Sequence, residues 1–232
     1  MTKTALIVGA GSGISAAFAR ALHRDGYRVA LAARGLEKLA ALAKETAALA
    51  LSVDAAKAES VANLFAGIDR AFGRLDVVLY NASHRTRGPF LELDPNEVAK
   101  SIEVSAFGGF LVAQEAARRM VRQSEGAILF TGASASVKGY ALSAPFAMGK
   151  FALRGLAQSM ARELQPKGVH VAHFVIDGGV RNAERGRVES TDAAPDSFLD
   201  PVAIAATYMA VLKQPRSAWS LEVELRPWVE KF

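Results

Sequence analysis

The chain has 232 residues, of which 51% are hydrophobic and 22% are charged, a composition that excludes a largely disordered protein. It contains no cysteine, which excludes disulfide bonds and Cys-ligated zinc, and its four histidines are scattered, so we predict no metal site. Acidic residues are interspersed among the basic residues that give a net charge of +5, so we expect no nucleic-acid partner. No apolar run reaches the ~20 residues that span a bilayer, and we expect a soluble, cytoplasmic protein without a membrane partner.

Short apolar segments alternate along the chain with longer amphipathic ones. We predict strands at 4–9, 28–33, 48–53, 76–81, 127–132, 170–176 and 220–225. We predict helices at 14–25, 36–46, 58–72, 96–123, 144–165 and 201–213. The first six strands are mostly apolar on both faces, as in a parallel sheet covered by helices on each side. The pattern predicts an α/β fold in one domain, 1–232, with a single doubly wound sheet of about seven mainly parallel strands.

A glycine-rich turn joins the first predicted strand to the first predicted helix. Glycines such as Gly9, Gly11 and Gly13 let a backbone approach a pyrophosphate closely. The helix that follows offers unpaired N–H groups and a favourable dipole to the same anion. Ile14 breaks the GxGxxG fingerprint. The turn could also be a tight loop without a ligand, but its position between a buried strand and a helix favours dinucleotide binding.

Several segments resemble the short-chain dehydrogenase/reductase family, in the family's order and across essentially the whole chain. The spacing of Gly9, Gly13 and Ser15 resembles its GxxxGxG turn, with Ser15 in place of the last glycine. The tetrapeptide YNAS at 80–83 resembles the family's NNAG, and Asp54 stands where the family has an acid that hydrogen-bonds the adenine. The resemblance implies a Rossmann-type sheet of seven strands, hydride transfer between a nicotinamide cofactor and a carbonyl or alcohol, and assembly into a homodimer or homotetramer.

The same resemblance assigns the cofactor site. The residues that it places against the nucleotide are Gly9, Ser12, Gly13, Ile14, Arg34, Asp54, Asn81, Ala82, Ser83, Lys150 and Gly179. Ala33 stands where NAD enzymes carry an acid, and Arg34 follows it. Because a guanidinium suits a 2′-phosphate, we expect NADP(H) rather than NAD(H). The alternative for Arg34 is an exposed residue at a helix start.

The catalytic set is where the chain departs from the family. In the family a Ser holds the substrate oxygen, a Tyr transfers the proton, a Lys four residues later lowers the Tyr pKa and binds the nicotinamide ribose, and an Asn completes a proton relay. Lys150 matches the Lys, and Ser134 falls near the position of the Ser. Phe146 replaces the Tyr, and Ser105, in the VNxxGxF-like stretch VSAFGGF, replaces the Asn. If the loop differs by a residue, Ala133 or Ser136 could be level with the family's Ser.

Phenylalanine has no titratable group, so another residue would have to supply the proton. The candidates are Tyr140 before the sixth predicted helix, His84 after YNAS, and Asp177 after the sixth strand. The structural alternatives are loop packing for Tyr140, surface exposure for His84, and hydrogen bonds to backbone N–H groups for Asp177. His173, in an apolar strand, is predicted to be a hydrogen-bonded core residue.

Two functions follow from this pattern. The first is an NADP(H)-dependent oxidoreductase that acts on a small carbonyl or alcohol with a non-standard proton donor, and with a substrate loop at about 177–199. The second is an NADP(H)-binding protein without redox turnover, acting as a sensor or an assembly partner.

Overall fold

In the computed structural model, which describes residues 2–189 and 195–230, seven strands form one sheet. The strands are β1 (Thr4–Val8), β2 (Arg28–Ala33), β3 (Leu49–Ser52), β4 (Val77–Tyr80), β5 (Gly126–Thr131), β6 (Val169–Ile176) and β7 (Glu222–Leu225). Their order across the sheet is β3-β2-β1-β4-β5-β6-β7, and each neighbouring pair is parallel. The predicted doubly wound α/β fold is therefore confirmed, with strand ends that differ by a residue or two.

Helices cover both faces of this sheet. They are α1 (Ile14–Arg24), α2 (Ala40–Glu45), α3 (Ala58–Phe72), α4 (Pro95–Ile102), α5 (Gly108–Gln123), α6 (Ala144–Leu164) and α7 (Pro201–Leu212). Alternate residues of β1 enter two separate cores: Leu6 and Val8 pack with α3, α5 and α6, whereas Ala5 and Ile7 pack with α1, α2 and α7. Within the described residues, no helix combines the length and the apolar character needed to cross a membrane.

The starts of α4 and α7 follow from local chemistry. The Asp94 carboxylate accepts a hydrogen bond from the Asn96 N–H at 2.9 Å, and Pro95 occupies the first turn. Asp200 caps α7 in the same way, through the Val202 N–H at 2.7 Å. The aspartate side chain satisfies one backbone N–H that has no partner within the helix, and the proline fixes a φ angle suited to the first turn. Both predicted helix starts are confirmed.

The helix predicted at 96–123 is not continuous. A π-helical turn, Glu103–Phe107, separates α4 from α5 and contains Ser105. The Tyr80 hydroxyl, at the end of β4, donates to the Val104 carbonyl at 2.5 Å, inside this turn. A side chain that inserts into a helical hydrogen-bond ladder is a common cause of such distortions. The helix predicted at 36–46 is likewise divided into a 3₁₀ turn, Glu37–Leu39, and α2.

Candidate active site

The turn between β1 and α1 is shaped by two glycines with positive φ. Gly9 has φ +81, and a Cβ atom there would lie 2.3 Å from the Ala82 backbone nitrogen. Gly13 has φ +97 and forms the N-cap of α1. No side chain caps this helix, and no acidic residue occupies its first turn. The N–H groups at the start of α1 are therefore available to an anion, as a phosphate-binding turn requires.

Ser15 and Asn81 connect this turn to the end of β4. The Asn81 side-chain amide donates to the Ser15 hydroxyl at 2.8 Å and to the Gly9 carbonyl at 3.3 Å. The Ser15 hydroxyl in turn donates to the same Gly9 carbonyl at 3.1 Å. Ser15 replaces the last glycine of the family motif. Its hydroxyl closes the turn onto Gly9 and links the turn to Asn81, just after β4.

A cleft of about 360 Å³ opens above this turn, at the carboxyl ends of the strands. Nine of the predicted cofactor residues line it: Gly9, Ser12, Gly13, Ile14, Arg34, Asp54, Asn81, Ala82 and Ser83. Two others, Lys150 and Gly179, are not among its lining residues. Ligands of open α/β sheets bind in crevices of this kind.

Four lining residues of the cleft come from the loop after β6 and were missed by sequence reasoning: Val180, Asn182, Arg185 and Arg187. The Asn182 side-chain amide donates to the Ser12 carbonyl at 3.0 Å, across 170 positions of sequence. Backbone hydrogen bonds between Asn182 and Arg187, at 2.8 and 2.9 Å, close a small hairpin. No motif spacing signals these contacts, because they depend on how the loop folds back over the glycine turn.

Arg34 and Asp54 lie at the ends of neighbouring strands. Arg34 follows β2 as an exposed side chain on the rim of the cleft, and Ala33 before it supplies no carboxylate. The Asp54 carboxylate accepts from the Ala56 N–H at 3.1 Å, while the Asp54 N–H donates to the Ser60 hydroxyl at 2.9 Å. Asp54 is thus held at the start of the loop that leads to α3.

Lys150 is buried, with 3% of its surface exposed. Its ammonium donates to the Thr131 carbonyl at 2.7 Å, at the end of β5. Burial lowers the pKa of Lys150 from 10.5 to about 8, because the charged form loses hydration. The Phe146 ring centroid lies 5.8 Å from Lys150 Nζ, so the two residues share a face of α6, as the four-residue spacing predicts.

Ser105 and Ser134 occupy different environments. Ser105 is fully buried in the π-helical turn, and its hydroxyl accepts from the His84 N–H at 3.4 Å. Ser134 is half-buried and begins a short 3₁₀ turn after β5. Ser136 is fully buried, and its hydroxyl accepts from the Ala133 N–H at 3.1 Å. Of the two hydroxyls in this turn, that of Ser134 is the accessible one.

The three candidate replacements for the tyrosine contact charged neighbours. Tyr140 is 44% exposed, with the Lys138 ammonium 5.6 Å from its ring centroid. His84 Nε2 lies 2.6 Å from a carboxylate oxygen of Glu97. Asp177 is buried, and its carboxylate lies 3.7 Å from Lys138 Nζ and 3.4 Å from the Arg226 guanidinium.

His173 is buried next to this region, but it is not fully hydrogen-bonded. Its Nδ1 lies 3.2 Å from a Glu222 oxygen, whereas its Nε2 has no hydrogen-bond partner within the described residues. Burial lowers the pKa of His173 to about 4, so the imidazole is neutral near pH 7. The prediction of a hydrogen-bonded core histidine is confirmed at Nδ1, while Nε2 has no hydrogen-bond partner within the described residues.

The parallel sheet, the glycine turn and the cleft above it define a Rossmann-type, dinucleotide-binding fold. The chain matches the family model described as short chain dehydrogenase over residues 3–190. It therefore belongs to the short-chain dehydrogenase/reductase family.

Relatives match along nearly the whole chain. An uncharacterized oxidoreductase of Staphylococcus aureus (strain MRSA252) is 30% identical over 231 residues, with 97% of each chain covered. A solved short-chain dehydrogenase from Rhodopseudomonas palustris is 35% identical, with a TM-score of 0.83 and coverage of 97% of this chain and 99% of that one. An alcohol dehydrogenase from the archaeon Thermococcus sibiricus, complexed with 5-hydroxy-NADP, is 28% identical, with a TM-score of 0.87 and coverage of 100% and 99%.

Proposed function

We propose that the chain is an NADP(H)-dependent oxidoreductase that acts on a small carbonyl or alcohol compound. The observation that carries this proposal is the cleft above the glycine turn, with the exposed cation Arg34 at the end of β2 and no acid at Ala33. A guanidinium there suits a 2′-phosphate, whereas an acid would suit ribose hydroxyls. The Thermococcus relative, which is complexed with 5-hydroxy-NADP, supports the same choice.

The residues of the cleft fit such a cofactor. The uncapped start of α1 at Gly13 would receive the pyrophosphate, and Asp54 would meet the adenine. Asn81, Ala82 and Ser83 would lie beside the nicotinamide half. Lys150, which is not one of the lining residues, would hold the nicotinamide ribose from α6. When bound, the cofactor supplies or accepts the hydride.

The proton must come from a group other than residue 146. We assign it to Lys150, because the ammonium lies beside the Phe146 ring and its pKa of about 8 is close to operating pH. Ser134, the accessible hydroxyl in the turn after β5, would hold the substrate oxygen. Reductase activity should therefore fall as pH rises above about 8, where the ammonium is lost.

The test is steady-state absorbance at the nicotinamide band with NADPH or NADP⁺ over a panel of carbonyl and alcohol compounds. The Lys150→Ala variant is the control, because it retains the cleft but lacks the amine. Turnover by the native chain well above that of Lys150→Ala is the expected result. Equal rates for the two proteins would count against catalysis.

A second function, NADP(H) binding without redox turnover, is favoured by two observations. Phe146 offers no proton, and the Ser105 hydroxyl is engaged by the His84 backbone. Tight binding of NADPH with no hydride transfer to any panel member would support this function. Formation of a reduced product would rule out this second function.

We also propose a homodimer or homotetramer. Neighbouring α5 and α6 expose large apolar side chains, with 39% of Phe110, 50% of Met148 and 44% of Phe151 accessible. Exposed apolar side chains grouped in this way are typical of association surfaces. Light scattering coupled to size-exclusion chromatography should give a mass of two or four chains, and a monomer would contradict the proposal.

A further inference from the structure

Arg85 lies in the segment that follows β4, against Phe146 at the start of α6. On one side of it, the Ser101 hydroxyl donates to the His84 carbonyl at 2.9 Å. On the other side, the Gly88 N–H donates to the Leu142 carbonyl at 3.2 Å, just before α6. The segment that carries Arg85 is therefore tied to α4 through His84 and, through Gly88, to the loop that precedes α6.

The Arg85 guanidinium lies over the Phe146 ring, with its Cζ 4.9 Å from the ring centroid. This distance is within the range of a cation–π contact, which orients the guanidinium plane. The same ring lies 5.8 Å from Lys150 Nζ. The position of the family's tyrosine is thus in contact with a guanidinium that remains exposed to solvent.

The positive charges of two more arginines act on Arg85. Arg87 is two residues along the same segment, and Arg187 belongs to the hairpin that Asn182 fixes to Ser12. Burial, followed by the like charges of Arg87 and Arg187, lowers the pKa of the Arg85 guanidinium. We call these three residues the arginine cluster.

The arginine cluster has no carboxylate partner within the described part of the chain, since none of its members forms an ion pair there. Arg181, close by in sequence, differs: it lies 3.3 Å from Glu189 and 4.0 Å from Asp200. Like charges that are held together without a counterion repel one another. A bound anion would relieve that repulsion, and guanidinium groups are well suited to bidentate recognition of carboxylates and phosphates.

We propose that Arg85, Arg87 and Arg187 bind an anionic group of the substrate, so that the enzyme acts on carbonyl compounds that carry a carboxylate or a phosphate. This inference rests on the proposed oxidoreductase function and specifies its substrate class. In the reaction the carbonyl carbon gains a hydride from NADPH and the oxygen gains a proton, giving an alcohol and NADP⁺. The anionic group is held by the arginine cluster and is chemically unchanged.

The cofactor's own phosphates are the other possible source of the anion, because Arg187 also lines the cleft above the glycine turn. The experiment therefore measures substrate and cofactor separately. Two matched pairs of probes are used: benzoylformate with its methyl ester, and dihydroxyacetone phosphate with dihydroxyacetone. Each pair has the same ketone with and without the negative charge.

Arg85→Gln should lower kcat/KM for the charged member of an accepted pair by ~10-fold or more, mainly through KM, because a charge-assisted hydrogen bond is lost. The neutral member should change by less than ~2-fold, and the Kd of NADPH should stay the same. Arg85→Lys should recover part of the loss, since it restores the charge but not the planar fork. Arg70→Gln, on the exposed face of α3, is the control for net charge.

Three results would overturn the inference. One is a native preference for the neutral members of both pairs. Another is an equal loss for charged and neutral members in Arg85→Gln. The third is a weakened Kd for NADPH with unchanged substrate KM, which would assign the arginines to the cofactor.

The anion site can also be tested if the proposed oxidoreductase function fails. Should NADPH bind without turnover, calorimetric titration of benzoylformate into the NADP⁺-loaded protein replaces the kinetic assay. Binding that weakens ~10-fold or more in Arg85→Gln, but not in Arg70→Gln, would support the arginine cluster. No binding, or binding that is indifferent to Arg85, would overturn it.

Discussion

At the scale of single residues, Phe146 decides whether the site has its usual acid. A tyrosine at this position would place a hydroxyl on a ring whose centroid lies 5.8 Å from Lys150 Nζ. The nearby ammonium would lower the phenol pKa and favour proton transfer. Since positioned acid–base catalysis is worth ~10²–10⁴-fold, we expect Phe146→Tyr to raise kcat for carbonyl reduction by at least ~10²-fold, measured as initial rates of NADPH oxidation.

The control for Phe146→Tyr is Phe72→Tyr, which adds the same hydroxyl at the distant end of α3. Phe72→Tyr should leave kcat unchanged. Combining Phe146→Tyr with Lys150→Ala should remove most of the gain. If Phe146→Tyr were as active as the native chain, the site around α6 would not be arranged for reduction at that position.

Arg34 is the residue on which the choice of cofactor depends. Arg34→Gln removes the exposed cation at the end of β2 but retains a polar side chain. Loss of charge-assisted hydrogen bonds should raise the Kd of NADPH by ~10–100-fold, while the Kd of NADH should change by less than ~3-fold. Fluorescence titration of both cofactors measures this difference, with Arg70→Gln as the charge control. An equal effect on the two cofactors would contradict a contact with the 2′-phosphate.

At the scale of elements, the conformation of the β1–α1 turn depends more on Gly9 than on Gly11. An alanine at Gly9 would carry φ +81 and place its Cβ 2.3 Å from the Ala82 nitrogen. At Gly11 a Cβ would meet no atom within 4 Å. We expect Gly9→Ala to lower the free energy of unfolding by about 2–4 kcal/mol and Gly11→Ala to change it by less than about 0.5 kcal/mol. Urea unfolding measures both, and similar values for the two variants would contradict this account of the turn.

The long helical segment shows what periodicity can and cannot predict. A period of 3.6 residues correctly indicates helix on both sides of residues 103–107, and Asp94 with Pro95 correctly indicates the start. The π-helical turn is invisible to that pattern, and so is the hydrogen bond that the Tyr80 hydroxyl, from β4, donates to the Val104 carbonyl inside it. Tyr80 stands at the first Asn of the family's NNAG, so the residue that departs from that motif contacts the backbone next to Ser105.

For the molecule as a whole, the sheet and the glycine turn were predictable because their signals are local. Apolar strands, helix caps and motif spacing each occupy a few consecutive residues. The contacts of Asn182 and Arg187 were not predictable, since they join the loop after β6 to the first turn of the chain. The burial of Lys150 also depends on distant strands, because its partner is the Thr131 carbonyl of β5.

That burial couples the protonation of one amine to the stability of the whole molecule. The pKa of Lys150 is about 8 in the folded chain, against 10.5 for an unperturbed lysine. Between these pH values the unfolded chain binds more protons, so the free energy of unfolding should rise with pH. We expect the free energy of unfolding of the native chain to rise by about 3 kcal/mol across this window relative to that of Lys150→Met. Below the window the amine is protonated in both states, so the difference in free energy of unfolding between the two proteins should not depend on pH.

Urea unfolding of the native chain and of Lys150→Met, repeated across the alkaline window, measures this gain. His173→Asn is the matched control, because the pKa of that imidazole is lowered from 6.5 to about 4 and its titration is complete before the window begins. The His173→Asn variant should therefore differ from the native chain by a constant amount above pH 8. A constant difference between the native chain and Lys150→Met over the same range would mean that burial does not shift the amine's proton affinity, and the assignment of Lys150 as proton donor would lose its physical basis.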